Sequence, residues 1–316
     1  MKHRLAIGLA GIYVIWGSTY LAVVLAIGTL PPLLMSSLRF TLAGGALYLW
    51  SRRRAPAAPR PCRAQWRAAS LTAVGLILVG SGGIAWSEQR LDSGIAALLG
   101  SSMPLWIALL DRAVFGSRLS SAAILGLGVG LGGVSVLVGP SGNGGIDTIG
   151  VAAILVSSLG WAAGSLYARS SSRPGPPLQA AGMQMLAGGA MLGVAGIATG
   201  ELGRVGAVSA TSLGALAYLV VVGSLVAYPL YGWLLRSAPT KIVSTHAYVN
   251  PAVAVFLGWA LLGERLSPAT LVAGLAILAS VVLIVTARAG RKREQPLASD
   301  FAGRPQTLRL GAHLAI

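Results

Sequence analysis

The sequence predicts an all-α integral membrane protein of ten transmembrane helices, built as two inverted five-helix repeats. Three observations predict it. First, 55% of the 316 residues are hydrophobic and only 10% are charged, with a mean hydropathy of +0.75. Soluble domains carry about 25% charged residues, so this chain has too much apolar surface for a fold in water and takes lipid as its solvent. Second, mainly apolar runs of about 20 residues, the length that crosses a bilayer as a helix, recur with short loops between them. Third, the chain matches itself when shifted by 147 positions: Trp86 falls on Trp233, Pro104 on Pro251, Gly116 on Gly263, and the Arg-Leu-Ser of 118–120 on that of 265–267.

The runs are Leu5–Ile27, Leu33–Trp50, Ala68–Ser87, Ser93–Leu110, Leu119–Gly139, Ile149–Ala168, Leu178–Thr199, Leu213–Leu235, Ile242–Leu262 and Ser267–Ala287. The first follows a basic start and so resembles a signal peptide. It is longer than the roughly 7–15 residues of a signal core and has a counterpart in mid-chain, so it reads as a retained span. The second opens on Pro31-Pro32, holds Arg39 and ends before Arg52, Arg53 and Arg54. The third ends at Trp86-Ser87-Glu88, and the fourth carries Pro104. The fifth holds Gly126, Gly128, Gly130, Gly132 and Gly133, small residues that let helices approach closely. The sixth and seventh restart the pattern at an offset of 145, with Trp161 on Trp16 and Pro176-Pro177 on Pro31-Pro32. The eighth carries Tyr228, Tyr231 and Trp233, the ninth Asn250-Pro251, and the tenth Ala273, Ala276 and Ala279.

Five spans per repeat is an odd number, so the second copy enters the membrane from the opposite side. Inverted repeats of this kind are a recurring design of secondary transporters. The expected organisation is a first repeat over 1–145, a second over 146–290, and a disordered cytoplasmic tail over 291–316. The formal charge of +16 would suggest nucleic acid in a soluble protein. Here the basic residues lie between apolar runs. With alternating sides, 20 of the 24 Lys and Arg fall on one side, Arg90, Arg204 and Arg265 on the other, and Arg39 inside a span. By the positive-inside rule both termini are expected in the cytoplasm. Cys62 is the sole cysteine, which excludes an internal disulfide and reads as incidental.

Several stretches together resemble a ten-span EamA-type member of the drug/metabolite transporter superfamily: "IWGSTYLA" in span 1, "PPLLMSSLRF" entering span 2, "SEQRLDSGIAALLGSSMPLWIALLDRAVFGSRLS" around spans 3 and 4, and "THAYVNPAVAVFLG" with "GERLS" in the second half. The likeness runs over about residues 5 to 287. It implies a bacterial inner-membrane location, a central cavity built chiefly from spans 1, 3, 4, 6, 8 and 9, and export of small metabolites or drugs. It supplies no particular substrate.

Candidate transport residues follow from what is costly in a bilayer. A charge there costs at least about 2.5–3.5 kcal/mol and usually faces the protein interior. Arg39 and Glu88 both fall in the outer half: a gate or an anchor for a charged substrate stands level with two simpler readings, a structural ion pair or an Arg39 that snorkels to the headgroups. His246, titrating near neutrality, is a candidate for proton coupling. Pro104 and Pro251 each withdraw a donor from the helix ladder, freeing the carbonyls of Gly100 and Ala247. Such groups are tolerated where protein or cavity water satisfies them, so both breaks, with Met103 and Asn250 beside the prolines, are expected at a midplane site. Trp16, Ser18, Thr19, Tyr20, Trp86, Trp106, Trp161, Tyr228, Tyr231 and Tyr248 add rings and hydroxyls suited to amphipathic ligands. Trp50, Trp66, Trp233 and Trp259 fit an interfacial belt instead.

No Walker motif, metal-ligand spacing or paired catalytic carboxylates appear, so no ATP-driven pump, metal site, cofactor or enzyme is indicated. The expectation is a secondary active exporter of amino-acid-like or amphipathic compounds, with a small-molecule substrate, the lipid bilayer and a homodimer through the glycine-rich span as partners. The alternatives are a passive pore or facilitator and a membrane-embedded enzyme.

Overall fold

A computed structural model describes residues 2–56, 59–116, 120–138, 146–171, 176–238, 240–243 and 245–294. Among these, ten helical segments follow one another: α1 (Lys2–Ile27), α2 (Pro32–Arg54), α3 (Arg63–Ser87), α4 (Ser93–Phe115), α5 (Ser121–Val138), α6 (Thr148–Ser170), α7 (Pro177–Ala198), α8 (Ala210–Val220 continuing through Val221–Val226 into Ala227–Ser237), α9 (His246–Leu262) and α10 (Pro268–Glu294). By length and composition α1, α3, α4, α6, α7 and α8 are each able to cross a membrane, while α5, α9 and α10 hold shorter apolar stretches. Large apolar side chains point outward on the peripheral helices, among them Val194 and Ile197 on α7 and Val272 and Leu275 on α10. That is the pattern of a protein solvated by lipid tails.

The internal repeat is written in the backbone. Gly116 (φ 66°) and Gly263 (φ 67°) close α4 and α9 in the left-handed conformation, which glycine adopts without a Cβ clash. Pro31 (φ −60°, ψ 136°) and Pro176 (φ −61°, ψ 136°) lead into α2 and α7 in the same conformation. A proline at the first helical position, Pro32 or Pro177, loses nothing there, because its missing N–H would have had no intrahelical partner. Both α3 and α8 widen into π-helical turns, over Val74–Ser81 and Val221–Val226.

The packing exchanges helices between repeats. α1 lies between α8 and α9 of the second repeat, and α6 lies between α3 and α4 of the first. Two central triads result, α1/α8/α9 and α3/α4/α6. Outside them α2 pairs with α7 and α5 with α10. The α2–α7 pair is drawn together by glycine: a Cβ on Gly182 would lie 2.7 Å from the Tyr48 nitrogen. On α5, Gly126, Gly130 and Gly133 face α10 closely, whereas Gly128 and Gly132 have nothing within 4 Å.

Two expectations need correcting. α9 runs unbroken from His246 to Leu257 with Pro251 inside it, so the break expected there is absent, whereas α4 does divide, into Ser93–Gly100 and Met103–Phe115 around a turn at Ser101 and Ser102, with Pro104 at the start of the second piece. Proline is accommodated where the ladder is already interrupted. α9 begins at His246, after a separate turn at Thr240–Val243, so His246 opens the helix rather than lying one turn inside it. Trp233 packs on α1, where a Cβ on Gly8 would meet its ring at 2.7 Å. The expected ends of span 5 at Leu119 and Gly139, the division at 145–146 in part, and the tail from 295 onward lie outside the described residues.

Candidate functional site

The two triads meet unevenly. The first piece of α4, Ser93–Gly100, packs on α9 and α1, while the second, Met103–Phe115, packs on α6, α5 and α10. Contact between the triads is thus drawn toward the face that carries the α1–α2, α3–α4, α7–α8 and α9–α10 connections, called here the distal face because it lies opposite the start of α1 and the end of α10.

Aromatic candidates gather on both triads. In the first, the Trp16 ring lies 4.9 Å from Tyr231 and 5.1 Å from His246, and Tyr231 lies 5.5 Å from His246. Nδ1 of His246 is 2.8 Å from the Val243 carbonyl oxygen, a contact that places the proton on Nδ1. Tyr248 stands beside Tyr13 and Thr245, which are hydrogen-bonded to each other. Ser18 shares a hydrogen bond with the Tyr218 hydroxyl at 2.6 Å, and Thr19 donates to the Trp16 carbonyl at 2.6 Å. In the second triad, Trp161 packs over Gly80 in the widened turn of α3, and Trp86 lies under the Arg90 guanidinium at 5.1 Å. Met103 and Trp106 follow the α4 break and are half-buried. Trp16 and Trp161, mates in the repeat, therefore belong to opposite triads.

Unsatisfied polarity gathers beside the two repeat-related prolines, Pro104 and Pro251. Ser102 Oγ, Trp106 Nε1 and Asn250 Oδ1 are buried with no hydrogen-bond partner. The Gly100 carbonyl, left free by Pro104, receives a long contact from Ser158 Oγ at 3.5 Å, and Gly100 is so close to the Tyr20 hydroxyl that a Cβ would lie 2.8 Å from it. Buried polar atoms almost always have partners, so these orphans beside the repeat-related prolines Pro104 and Pro251 mark a candidate polar site.

Arg39 and Glu88 come close enough to influence each other electrostatically but form no ion pair. Arg39 donates through Nε to Ser224 Oγ at 3.2 Å, in the widened turn of α8, with its guanidinium also 4.9 Å from the Phe40 ring. Tyr228 is its other electrostatic neighbour on α8. Glu88 is 5% exposed, and neither carboxylate oxygen has a hydrogen-bond partner. The structural ion pair weighed from sequence is therefore absent, and a guanidinium and a carboxyl group stand apart from each other.

The distal face is closed by carboxylates that the sequence reading did not single out. Glu264, in the α9–α10 connection, accepts the backbone N–H groups of Ser93 at 2.7 Å and Gly94 at 3.0 Å. Glu201, between α7 and α8, accepts those of Leu33 and Leu34, each at 3.0 Å. Asp147 bonds Arg90 at 2.8 Å and caps α6 through Ile149 and Gly150. Half-burial, then the nearby Glu264 charge, push the Asp92 carboxyl up. The available signal was charge scarcity: of eight acidic residues, Glu88, Asp92, Asp147, Glu201 and Glu264 all fall at this one face. Ser224 gave no signal, being one serine in an apolar run.

Comparison with known proteins follows the same lines. The model of the EamA-like transporter family matches residues 4–139 and again 148–286. The chain is 34% identical over 289 residues to the uncharacterized inner membrane transporter YedA of Escherichia coli K12, covering 90% of this chain and 92% of that one. It is 24% identical over 298 residues to a probable amino-acid metabolite efflux pump of the same strain, covering 86% and 90%. One solved crystal structure shares the fold with a TM-score of 0.59 at 21% identity, over 93% of this chain and 99% of that one. Ten helices in two matched repeats, lipid-facing flanks and relatives of this kind have one meaning: the chain belongs to the EamA-like transporter family, as a multi-pass transporter of the inner membrane and not an enzyme.

Proposed function

We propose that this chain is a secondary active exporter of small amino-acid-like or amphipathic metabolites, working by alternating access, with both termini in the cytoplasm. The observation that carries the reading is the pair Arg39 and Glu88, a half-buried guanidinium and a buried carboxyl group near each other without an ion pair. Buried charges are retained where they have a partner. A solute with an anionic and a cationic end supplies one to each. Asn250, Ser102 and Trp106 offer further unsatisfied groups beside Pro251 and Pro104, and the rings of Trp16, Tyr231 and Trp161 supply apolar walls. The relative named as a probable amino-acid metabolite efflux pump supports the same substrate class.

The inverted exchange of α1 and α6 supports a rocking motion. Each triad contains helices of both repeats, and contact between triads is concentrated in the distal half of α4. A homodimer would use Gly128 and Gly132, since Gly126, Gly130 and Gly133 are taken by α10.

The test is counterflow in proteoliposomes with a panel of labelled amino acids. An exporter accumulates label by exchange, and Arg39→Ala and Asn250→Ala each reduce the rate. Ohmic current without counterflow would mark a pore, and no exchange of any zwitterion would sink the substrate class.

A further inference from the structure

Glu88 has a feature that substrate anchoring alone does not explain. It closes α3 at the distal face, it is 5% exposed, and both of its oxygens lack partners. Three groups on other elements influence it: Tyr20 from α1, Arg39 from α2 and Glu264 from the α9–α10 connection. Arg39 is held by Ser224 instead. Glu264 has its negative charge committed to the first turn of α4 through Ser93 and Gly94, where a helix N-terminus favours an anion. An ionised Glu88 here would be a buried charge with no hydrogen bond beside a second carboxylate, a combination that costs several kcal/mol.

Resting on the exporter reading above, we propose that Glu88 is the proton-binding group of this transporter and that its protonation controls the distal closure made by Glu264. With the proton on Glu88, Glu264 is the sole negative charge of the pair and caps α4, holding the triads together. When the proton leaves, two carboxylates face each other. Their repulsion weakens the cap, and the distal side opens. Proton entry from the distal side closes it again. In this scheme one group couples the proton to the conformational change, and His246 is dispensable to it.

The space around Glu264 fits a latch. A Cβ on Gly258 would lie 2.2 Å from Glu264 Oε2, and one on Gly94 3.2 Å from the same atom. The carboxylate therefore sits tightly between α4 and α9. Behind it lies Ser93, 0% exposed and with its own hydroxyl unpartnered. A thiol at that position is reachable only when the latch lets go.

The experiment uses the full chain in proteoliposomes with Cys62→Ser and Ser93→Cys, labelled by a membrane-impermeant maleimide on the distal side, after normalising each rate to an exposed reporter, Gln89→Cys. Expected is a severalfold rise in Ser93→Cys labelling from mildly acidic to mildly alkaline pH. The rise should be abolished at the low level in Glu88→Gln, kept in Glu88→Asp, and replaced by fast labelling at every pH in Glu264→Ala. Infrared spectra of the otherwise unaltered protein should show a protonated-carboxyl band that Glu88→Gln removes and that sodium in place of choline leaves intact. Labelling that ignores pH, a pH response that survives Glu88→Gln, or a band abolished by sodium overturns the proposal. Because none of these readouts needs a substrate, they can fail while counterflow succeeds, and the reverse.

Discussion

Oε1 of Glu264 accepts the backbone N–H of Ser93 at 2.7 Å, so a residue of the second repeat completes the first turn of a helix in the first. α4 has no cap of its own, since the Asp92 side chain makes no capping hydrogen bond. The first N–H groups of a helix have no intrahelical partner, and within the low-dielectric interior each orphan is costly. Glu264→Ala should therefore destabilise the protein by about 1–3 kcal/mol, the cost of leaving buried donors unsatisfied. Thermal unfolding in detergent checks this, and a variant with unchanged unfolding temperature would show that the cap carries no stability.

Glu201 performs the same service for α2, whose leading residue Pro31 has no side-chain acceptor to offer. It is 2% exposed. Glu201→Gln keeps an acceptor oxygen, so it should lose less than Glu201→Ala, which is expected to cost about 1–3 kcal/mol. The ordering of the two variants in denaturant-induced unfolding is the measurement.

Two glycines give opposite expectations for one substitution. At Gly182 an added Cβ would lie 2.7 Å from the Tyr48 nitrogen and 3.0 Å from the Gly44 oxygen, both backbone atoms that cannot turn aside. Gly182→Ala should force α2 and α7 apart and cost about 1–3 kcal/mol, the range for overpacking. At Gly128 nothing lies within 4 Å, and Gly128→Ala should be neutral or mildly stabilising because alanine favours the helix. Paired melting curves decide it.

The Asp147–Arg90 pair supplies a pH dependence. The Gly150 backbone N–H, then the Arg90 side chain, hold the Asp147 carboxyl below its ordinary value of 3.8. A carboxyl depressed in the folded state contributes stability that is present above that ordinary value and lost as pH falls through the folded one. The contribution is small because the pair is exposed and screened. Asp147→Asn should lower the unfolding temperature slightly near neutral pH and by progressively less in acid, where the two proteins converge. Melting curves against pH test this, and a constant difference into strong acid would disprove it.

Much of this molecule was legible in its sequence because lipid leaves few choices. Backbone groups in hydrocarbon must be satisfied within the segment, so apolar runs of spanning length announce helices, and the match at an offset of 147 announces two copies. Gly116 and Gly263 then close α4 and α9 in one conformation because both lack a Cβ. The same sequence marked Arg39, Glu88 and Asn250 as costly residues. What they do with their charge and polarity was decided elsewhere. The capture of Arg39 by Ser224 and the reach of Glu264 to Ser93 are contacts across 185 and 171 positions, and the exchange of α1 and α6 between repeats and the isolation of Glu88 likewise follow from how distant parts of the chain pack. No local pattern encodes them, because each depends on which helix faces lie together once the chain has packed.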